Sequence, residues 1–394
     1  MSTDSVVIVG TGVAGATAAL ALRTGGFDGN VTLIGRDQYL PYRRPTLSKD
    51  VLLSGMPVEK ALLKPAAHWE DIAVAVRTGV TVTGGDTGAR TLELSDGAAL
   101  AYGSLVLATG GVARELPGLP PAPRVKYLRD FADATALRDE LSRACSVIVL
   151  GAGLIGSEVA SAAAKLGAAV TVVEPAALPL ARVVPPSIGE RLAGLQRAAG
   201  VDLLLGVRAG AITVEPDQVS VALPGGGVLV ADLLVVAVGS TPDTGLAERL
   251  ALRVNDGILV NEQYRTSAEG VYAVGDCARV PNPLEGGTYR AENWSAAQDQ
   301  GTAVAQVLLG GAPAPTVPWG WSNQFGAVLQ FAGWPAADDE LEVDGPMDTA
   351  SSDPFFARCH RDGALAGAVA MGRPKELRAV RGELSEQIAA AVAR

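Results

Sequence analysis

Twice in this chain a run of β-branched residues stops at a G-x-G-x-x-G turn, and an alanine-rich segment follows. The first run is Val6-Val-Ile-Val9, ending in Gly10, Gly12 and Gly15. The second is Ser146-Val-Ile-Val-Leu150, ending in Gly151, Gly153 and Gly156. Buried parallel strand, tight turn and helix is the setting in which this spacing acquires chemical meaning. The first glycine permits the turn, the second lets backbone amides approach a pyrophosphate, and the third lets the helix pack on the strand. Oriented N–H groups at the helix start, around Val13 and Ala14 and again around Leu154 and Ile155, then present partial positive charge to phosphates. One such motif is also met as a plain structural turn. Two, each behind its own apolar strand, predict an α/β chain with two dinucleotide sites.

The remaining composition narrows the class. The chain has 394 residues, 48% of them hydrophobic and 19% charged, enough for two or three packed domains. A net charge of −10 opposes nucleic-acid binding. No apolar run reaches the roughly 20 residues that span a bilayer, and Val6 already begins a strand, so a soluble, cytoplasmic protein is expected with no membrane contact. Cys145, Cys277 and Cys359 are far apart, with no C-x-x-C. They read as three small buried hydrophobes, which leaves a dithiol mechanism or a zinc site without ligands. His68 and His360 are the only histidines, so neither a metal site nor histidine acid–base chemistry is expected.

Acidic residues after the second strand of each unit bear on the nucleotide. Val31 to Ile34 is followed by Gly35, Arg36 and Asp37. Asp37 suits a ribose contact, and Arg36 is the alternative nucleotide contact. In the second unit Glu174 follows the Ala169–Val173 strand, near the expected distance of about 20 residues after the first glycine. A carboxylate there accepts both ribose hydroxyls of NAD and repels the 2′-phosphate of NADP, which predicts NADH over NADPH. Arg182, in the loop beyond, is read as a positioning or surface residue. Leu40 to Lys49 reads as an extended, proline-stiffened basic segment. Gly79 to Val82 fits a short strand, and Asp96-Gly97 a hairpin turn. Tyr102 to Gly111 and Ala231 to Pro242 read as buried strands, the latter leaving through Gly239. Gly270 to Asp276 is a short strand, and a helix runs from about Trp294 to Leu309. The proline-rich stretch Gly310 to Pro318 reads as a domain boundary. Lys375, Arg378 and Arg381 recur every three residues and are placed on one face of a C-terminal helix. A solvated helix face is the default for such charges; a docking patch for an acidic partner is the sharper reading.

The segment Pro41-Tyr-Arg-Arg-Pro-Thr-Leu-Ser-Lys49 resembles the FAD-dependent NADH:ferredoxin reductases that serve oxygenases. Ala108-Thr-Gly110, Gly270-Val-Tyr-Ala-Val-Gly-Asp276, Arg290-Ala-Glu-Asn-Trp294 and Trp319-Gly-Trp-Ser-Asn-Gln-Phe325 come in that family's order, over essentially the whole chain. The resemblance implies a glutathione-reductase-like α/β architecture: two Rossmann-type dinucleotide-binding domains plus a C-terminal α+β interface domain. Residues 1–112 and 243–314 would bind FAD, 113–242 NAD, and 315–394 would close the chain. It further implies flavin contacts from Arg44, Pro45, Lys49, Ala108, Thr109, Gly110, Arg129, Gly275, Asn293, Trp294 and Trp321. The backbone of Val82 would touch the adenine, and Asp276 the ribityl hydroxyls; a helix cap is the bland alternative for Asp276. Glu158 would pair with Lys49 beside the flavin, rather than merely sit favourably near a helix start. The chain departs from the family at Asp243, where asparagine is usual, and at Gly320 and Asn323.

Activity is implied in the same way. A hydride would pass from NADH to the flavin, and single electrons would leave for an iron–sulfur ferredoxin that supplies a haem monooxygenase or Rieske-type oxygenase. Positioning would carry the catalysis, with Lys49, Glu158 and Trp321 shaping the reacting face. Two alternatives stand beside this: an NADH reductase of rubredoxin, a quinone or another small acceptor, and a redox-signalling flavoprotein like the relatives of apoptosis-inducing factor.

Overall fold

The computed structural model describes residues 5–284, 286–313, 316–348 and 351–392. Because the β-branched runs are apolar on both faces, they are buried centrally in parallel sheets. The first sheet has five parallel strands in the order Val271–Ala273, Ser104–Leu107, Ser5–Val9, Asn30–Ile34, Val74–Arg77. The second repeats the plan: Asp202–Leu205, Ala169–Glu174, Ser146–Leu150, Leu233–Val236, Val125–Lys126. Each sheet carries its alanine-rich helix, Val13–Thr24 on the first and Leu154–Lys165 on the second. The antiparallel pair Gly111–Ala113 and Ser240–Pro242 links the two.

Register is what positions the glycine turns. Val9 pairs with both Ile34 and Leu107, so Gly10, Gly35 and Ala108 leave the first sheet side by side. Leu150 pairs with Val173 and Val236, which does the same for Gly151, Glu174 and Ala237. Gly10 has φ +122°, and a Cβ there would lie 2.0 Å from the Ala108 carbonyl oxygen. A Cβ on Gly15 would stand 2.0 Å from the Gly10 oxygen, and one on Gly156 equally close to the Gly151 oxygen. No side chain fits at these positions. Small residues act again where the Val13–Thr24 helix meets the Trp294–Leu308 helix: a Cβ on Gly301 would fall 2.4 Å from the Ala14 oxygen.

Five strands between Trp319 and Met371 form an antiparallel sheet, backed by the helix Pro374–Val392. Leu377, Val380, Leu384 and Ile388 recur at helical spacing and are buried against it. Its other face packs on Leu180, Val184, Ile188, Leu192 and Leu195 beside the second sheet. There Arg191 is fully buried. Its guanidinium stacks on Phe355 at 4.8 Å and donates to the carbonyls of Pro346, Ser351 and Asp353.

Several expectations are corrected. Leu40–Lys49 is extended only at its start, where Tyr42 bridges Leu62 and Arg43 is extended; Arg44–Thr46 then forms a tight helical turn, and Leu47–Val51 a widened one. Pro45 falls in the first turn, where its missing N–H leaves nothing unsatisfied, so it starts the helix rather than preventing it. The expected strand at Gly79–Val82 begins only at Val82, because Gly79 turns with φ +68°. The strand expected over Tyr102–Gly111 spans Ser104–Leu107, and Ala231–Pro242 is split between Leu233–Val236 and Ser240–Pro242. Cys145 is exposed, in the loop before its strand, while Cys277 and Cys359 are buried. Lys375 and Arg378 are exposed, but Arg381 turns inward over Trp319 at 4.8 Å. Three residues advance a helix by about 300°, so each step slips back about 60° and the third charge leaves the shared face. Ala314 and Pro315, where the last domain boundary is expected, lie outside the described residues.

Arg191 gives a direct test of how the C-terminal sheet is attached. Arg191→Met leaves three carbonyls without their donor and should lower unfolding free energy by about 2–5 kcal/mol. Urea denaturation checks this; an unchanged midpoint would contradict the assignment.

Candidate active site between two glycine turns

A continuous cleft starts at the first glycine turn and ends beside the second. One end is lined by Gly10, Gly12, Val13, Ala14, Arg36, Asp37, Ala108, Thr109, Gly110 and Gly275. The other is lined by Pro45, Ser48, Lys49, Leu154, Ile155, Glu158, Asn293, Trp294 and Trp321. Arg44, Arg129 and Asp276 belong to both ends. Nothing lies within 4 Å of where a Cβ would stand on Gly12 or Gly153, so both turns open onto free space. Exposed amides at a helix start beside free space suit a pyrophosphate.

The middle of the cleft is cationic. Arg129 pairs with Asp276 at 3.0 Å, and its Nε is buried without a partner. Arg44 donates to the Arg129 carbonyl oxygen. Its side chain lies deep among protein atoms yet keeps an open edge on the cleft; burial first, and then the neighbouring Arg129, lower its pKa. Two guanidiniums facing one cavity, one with an idle N–H, fit a bound dianion. Asp276 does not cap a helix. Its residue sits in the short turn Gly275–Cys277, and its carboxylate goes to Arg129 in the cleft.

At the inner end Glu158 gathers four donors. Lys49 Nζ lies 2.7 Å from Oε2, which also accepts from Ser48. Oε1 accepts from the Ser322 hydroxyl at 2.8 Å and from the Asn323 amide at 3.2 Å. The widened turn Leu47–Val51 aims Ser48 and Lys49 together at this carboxylate; such turns are frequent at functional sites. Ser48 and Ser322 were legible in the Leu-Ser-Lys and Trp-Ser-Asn strings, yet a serine carries no signal that it faces a carboxylate from another segment. Trp321 lines the wall and stacks on Trp319, with centroids 5.5 Å apart. Asn293 caps the Trp294–Leu308 helix by accepting from the Ala296 amide at 2.9 Å.

Other expected site residues sit around this core. Glu174 ends its strand beside the second turn, and its two oxygens accept from the amides of Ala152 and Ala176 at 2.7 and 2.8 Å. Each oxygen keeps a lone pair for a ligand hydroxyl. Gly239 lies on the link between the sheets, with φ +111° and open space beside it. Asp37 accepts from the Tyr42 hydroxyl at 2.8 Å, and Arg36 pairs with Asp243 at 3.0 Å. Arg182 is exposed in the loop after Leu180, and Val82 is a buried strand residue outside the cleft lining. Thiols have no place here. Burial pushes Cys277 up and Cys359 up to about 12, so neither forms a ready thiolate.

Residues 4–301 match the family described as pyridine nucleotide-disulphide oxidoreductase. The chain belongs to that family. Residues 319–394 of this oxidoreductase match a second family, described as reductase C-terminal. It is similar to rhodocoxin reductase from Rhodococcus erythropolis, 37% identical over 98% of this chain and 90% of that protein. A rubredoxin-NAD(+) reductase from Pseudomonas putida is 38% identical over 86% of this chain and 89% of its own length. Among solved structures, a chain of the covalent putidaredoxin reductase–putidaredoxin complex superposes with a TM-score of 0.92 at 34% identity. That match covers 98% of this chain and 94% of the other. The glutathione-reductase-like architecture of two Rossmann-type sheets and a C-terminal sheet is that of the family. Among the described residues of this oxidoreductase, no helix is long and apolar enough to cross a membrane.

The buried pair is the testable core of the site. Lys49→Met or Glu158→Gln alone strands the opposite charge and should destabilise by about 3–5 kcal/mol, whereas the double variant should cost clearly less than the sum. A double-mutant cycle on urea midpoints measures this; additive effects would show that the two groups do not act as a pair.

Proposed function

We propose that this chain is an FAD-dependent NADH:ferredoxin reductase of an oxygenase system. The observation that carries the reading is one cleft that joins two dinucleotide turns through a hydrogen-bonded lysine–glutamate pair, with no dithiol along it. FAD held in such a site would supply the chemistry of taking an electron pair as hydride from NADH and releasing electrons singly.

The residues of the chain bind and orient. Gly12 to Ala14 present backbone amides to the FAD pyrophosphate, with Arg44 and Arg129 supplying countercharge deeper in the cleft. Asp276 accepts from ribityl hydroxyls, and Glu174 from the ribose of NADH. Glu158 fixes Lys49 Nζ at the reacting end, so the ammonium meets the flavin already ordered. Ser48, Ser322 and the Asn323 amide hold Glu158 in turn. Trp321 walls this end and excludes water. Cys277 and Cys359 are buried and no C-x-x-C pair exists, so the relay that a disulphide reductase would use is missing and the flavin edge would be the exit for electrons.

The domain division comes with this reading: 1–112 and 243–314 for FAD, 113–242 for NAD, and 315–394 for the interface, in a cytoplasmic protein. Lys375 and Arg378 offer exposed positive charge to an acidic ferredoxin, within a chain that is acidic overall. The similarity to a rubredoxin reductase supports a second reading, in which the acceptor is rubredoxin.

The acceptor assay separates them. With NADH as donor, a [2Fe–2S] ferredoxin should be reduced much faster than rubredoxin. Lys375→Glu with Arg378→Glu should raise KM for that ferredoxin by roughly three- to ten-fold at low salt and leave ferricyanide reduction unchanged. Faster reduction of rubredoxin would overturn the ferredoxin assignment.

A further inference from the structure

An ion pair at the outer end of the cleft has no part in the chemistry described so far. Arg36 follows the Asn30–Ile34 strand, and its guanidinium lies 3.0 Å from the Asp243 carboxylate, 207 positions along the chain. Asp243 is anchored on the far side of the sheet. Its carbonyl accepts from the Thr109 hydroxyl at 2.6 Å, and its amide donates to the Gly110 carbonyl at 2.9 Å, just beyond the Ser104–Leu107 strand. The Ser5–Val9 strand lies between those two strands, and it ends in the Gly10 turn. Neighbouring strands are about 4.8 Å apart, so the pair reaches across about 10 Å of sheet edge. What it crosses is the first glycine turn. Arg36, Gly10, Gly12, Thr109 and Gly110 all line this end of the cleft.

One arm of the bridge is anchored and the other is exposed. The Asp243 side chain is 23% exposed on a backbone held at two points, whereas Arg36 is 58% exposed on a long flexible stem. A bridge of this kind is held by charge, opens by rotation of one side chain, and weakens as salt screens it. The Gly10 turn, on which the proposed dinucleotide would sit, lies between its two ends.

We propose that Arg36 and Asp243 form a latch across the mouth of the first dinucleotide cleft, and that the latch slows escape of the bound cofactor. The proposal rests on the reading of that cleft as the FAD site. Arg36 and Asp243 are positioning residues: neither touches the reacting end, so the latch sets how long the cofactor stays.

Release of FAD from diluted holoenzyme, followed by the recovery of flavin fluorescence at low and high NaCl, tests the latch. Wild-type release should speed up about two- to five-fold with salt, and Asp243→Asn should release about two- to five-fold faster than wild type at low salt. Asp243→Asn should also lose most of the salt response, and adding Arg36→Ala to it should change nothing more. The exchanged pair Arg36→Asp with Asp243→Arg should restore slow, salt-sensitive release. Glu383→Gln, which removes the exposed ion pair to Arg358, should behave as wild type. Holoenzyme of Asp243→Asn that releases FAD at the wild-type rate, with the wild-type salt response, would overturn the latch and leave the FAD reading standing. A wild-type protein that takes up no FAD would overturn both.

Discussion

A carboxylate 5% exposed is tolerable only if its charge is met from several sides, and that requirement at Glu158 ties the molecule together. The four donors come from two distant parts of the chain. Ser48 and Lys49 sit on a widened helical turn, and Ser322 and Asn323 on the first strand of the C-terminal sheet. Glu158 itself rides the helix after the second glycine turn. The electrostatics of one side chain thus require three regions to be correctly docked before any is fully satisfied. A pair so constrained contributes little net stability, because desolvation offsets most of the attraction. Its value is geometric: it specifies where one ammonium group stands.

The rest of the site uses rigid backbone. Flush strand ends bring three loops together at each sheet, and glycines remove the side chains that would fill the space above them. The two sheets share a plan but differ in what surrounds the turn. The first adds arginines and a carboxylate deeper in its cleft, which suits the tightly held cofactor proposed for it. The second offers Glu174 and open space, which suits the exchanging substrate proposed for it.

Much of this is legible in the amino-acid sequence, for physical reasons. The two sheets come from β-branched runs that end in glycine, since no other residue permits those close approaches. The helices at Trp294–Leu308 and Pro374–Val392 come from small-residue content and apolar spacing. What stays hidden depends on partners far apart in the chain. Nothing in Arg36 or Asp243 alone announces that they meet, nor in Ser322 that it faces Glu158. Proline at position 45 suggests extension, because its tolerance in a first helical turn depends on the residues after it. Arg381 groups with Lys375 and Arg378 by a spacing of three, which drifts around a helix; its stacking on Trp319 is a tertiary fact. Cys145 belongs to the interior by residue type, yet it lies in an exposed loop.

Electron delivery from NADH to a flavin held in this cleft is the central claim. Anaerobic stopped-flow mixing of the purified protein with NADH or NADPH, read at the flavin absorbance, addresses it directly. Rapid bleaching by NADH, and much slower bleaching by NADPH because Glu174 repels the 2′-phosphate, is the predicted result. Slow bleaching by both nucleotides, or a protein without flavin, would contradict it.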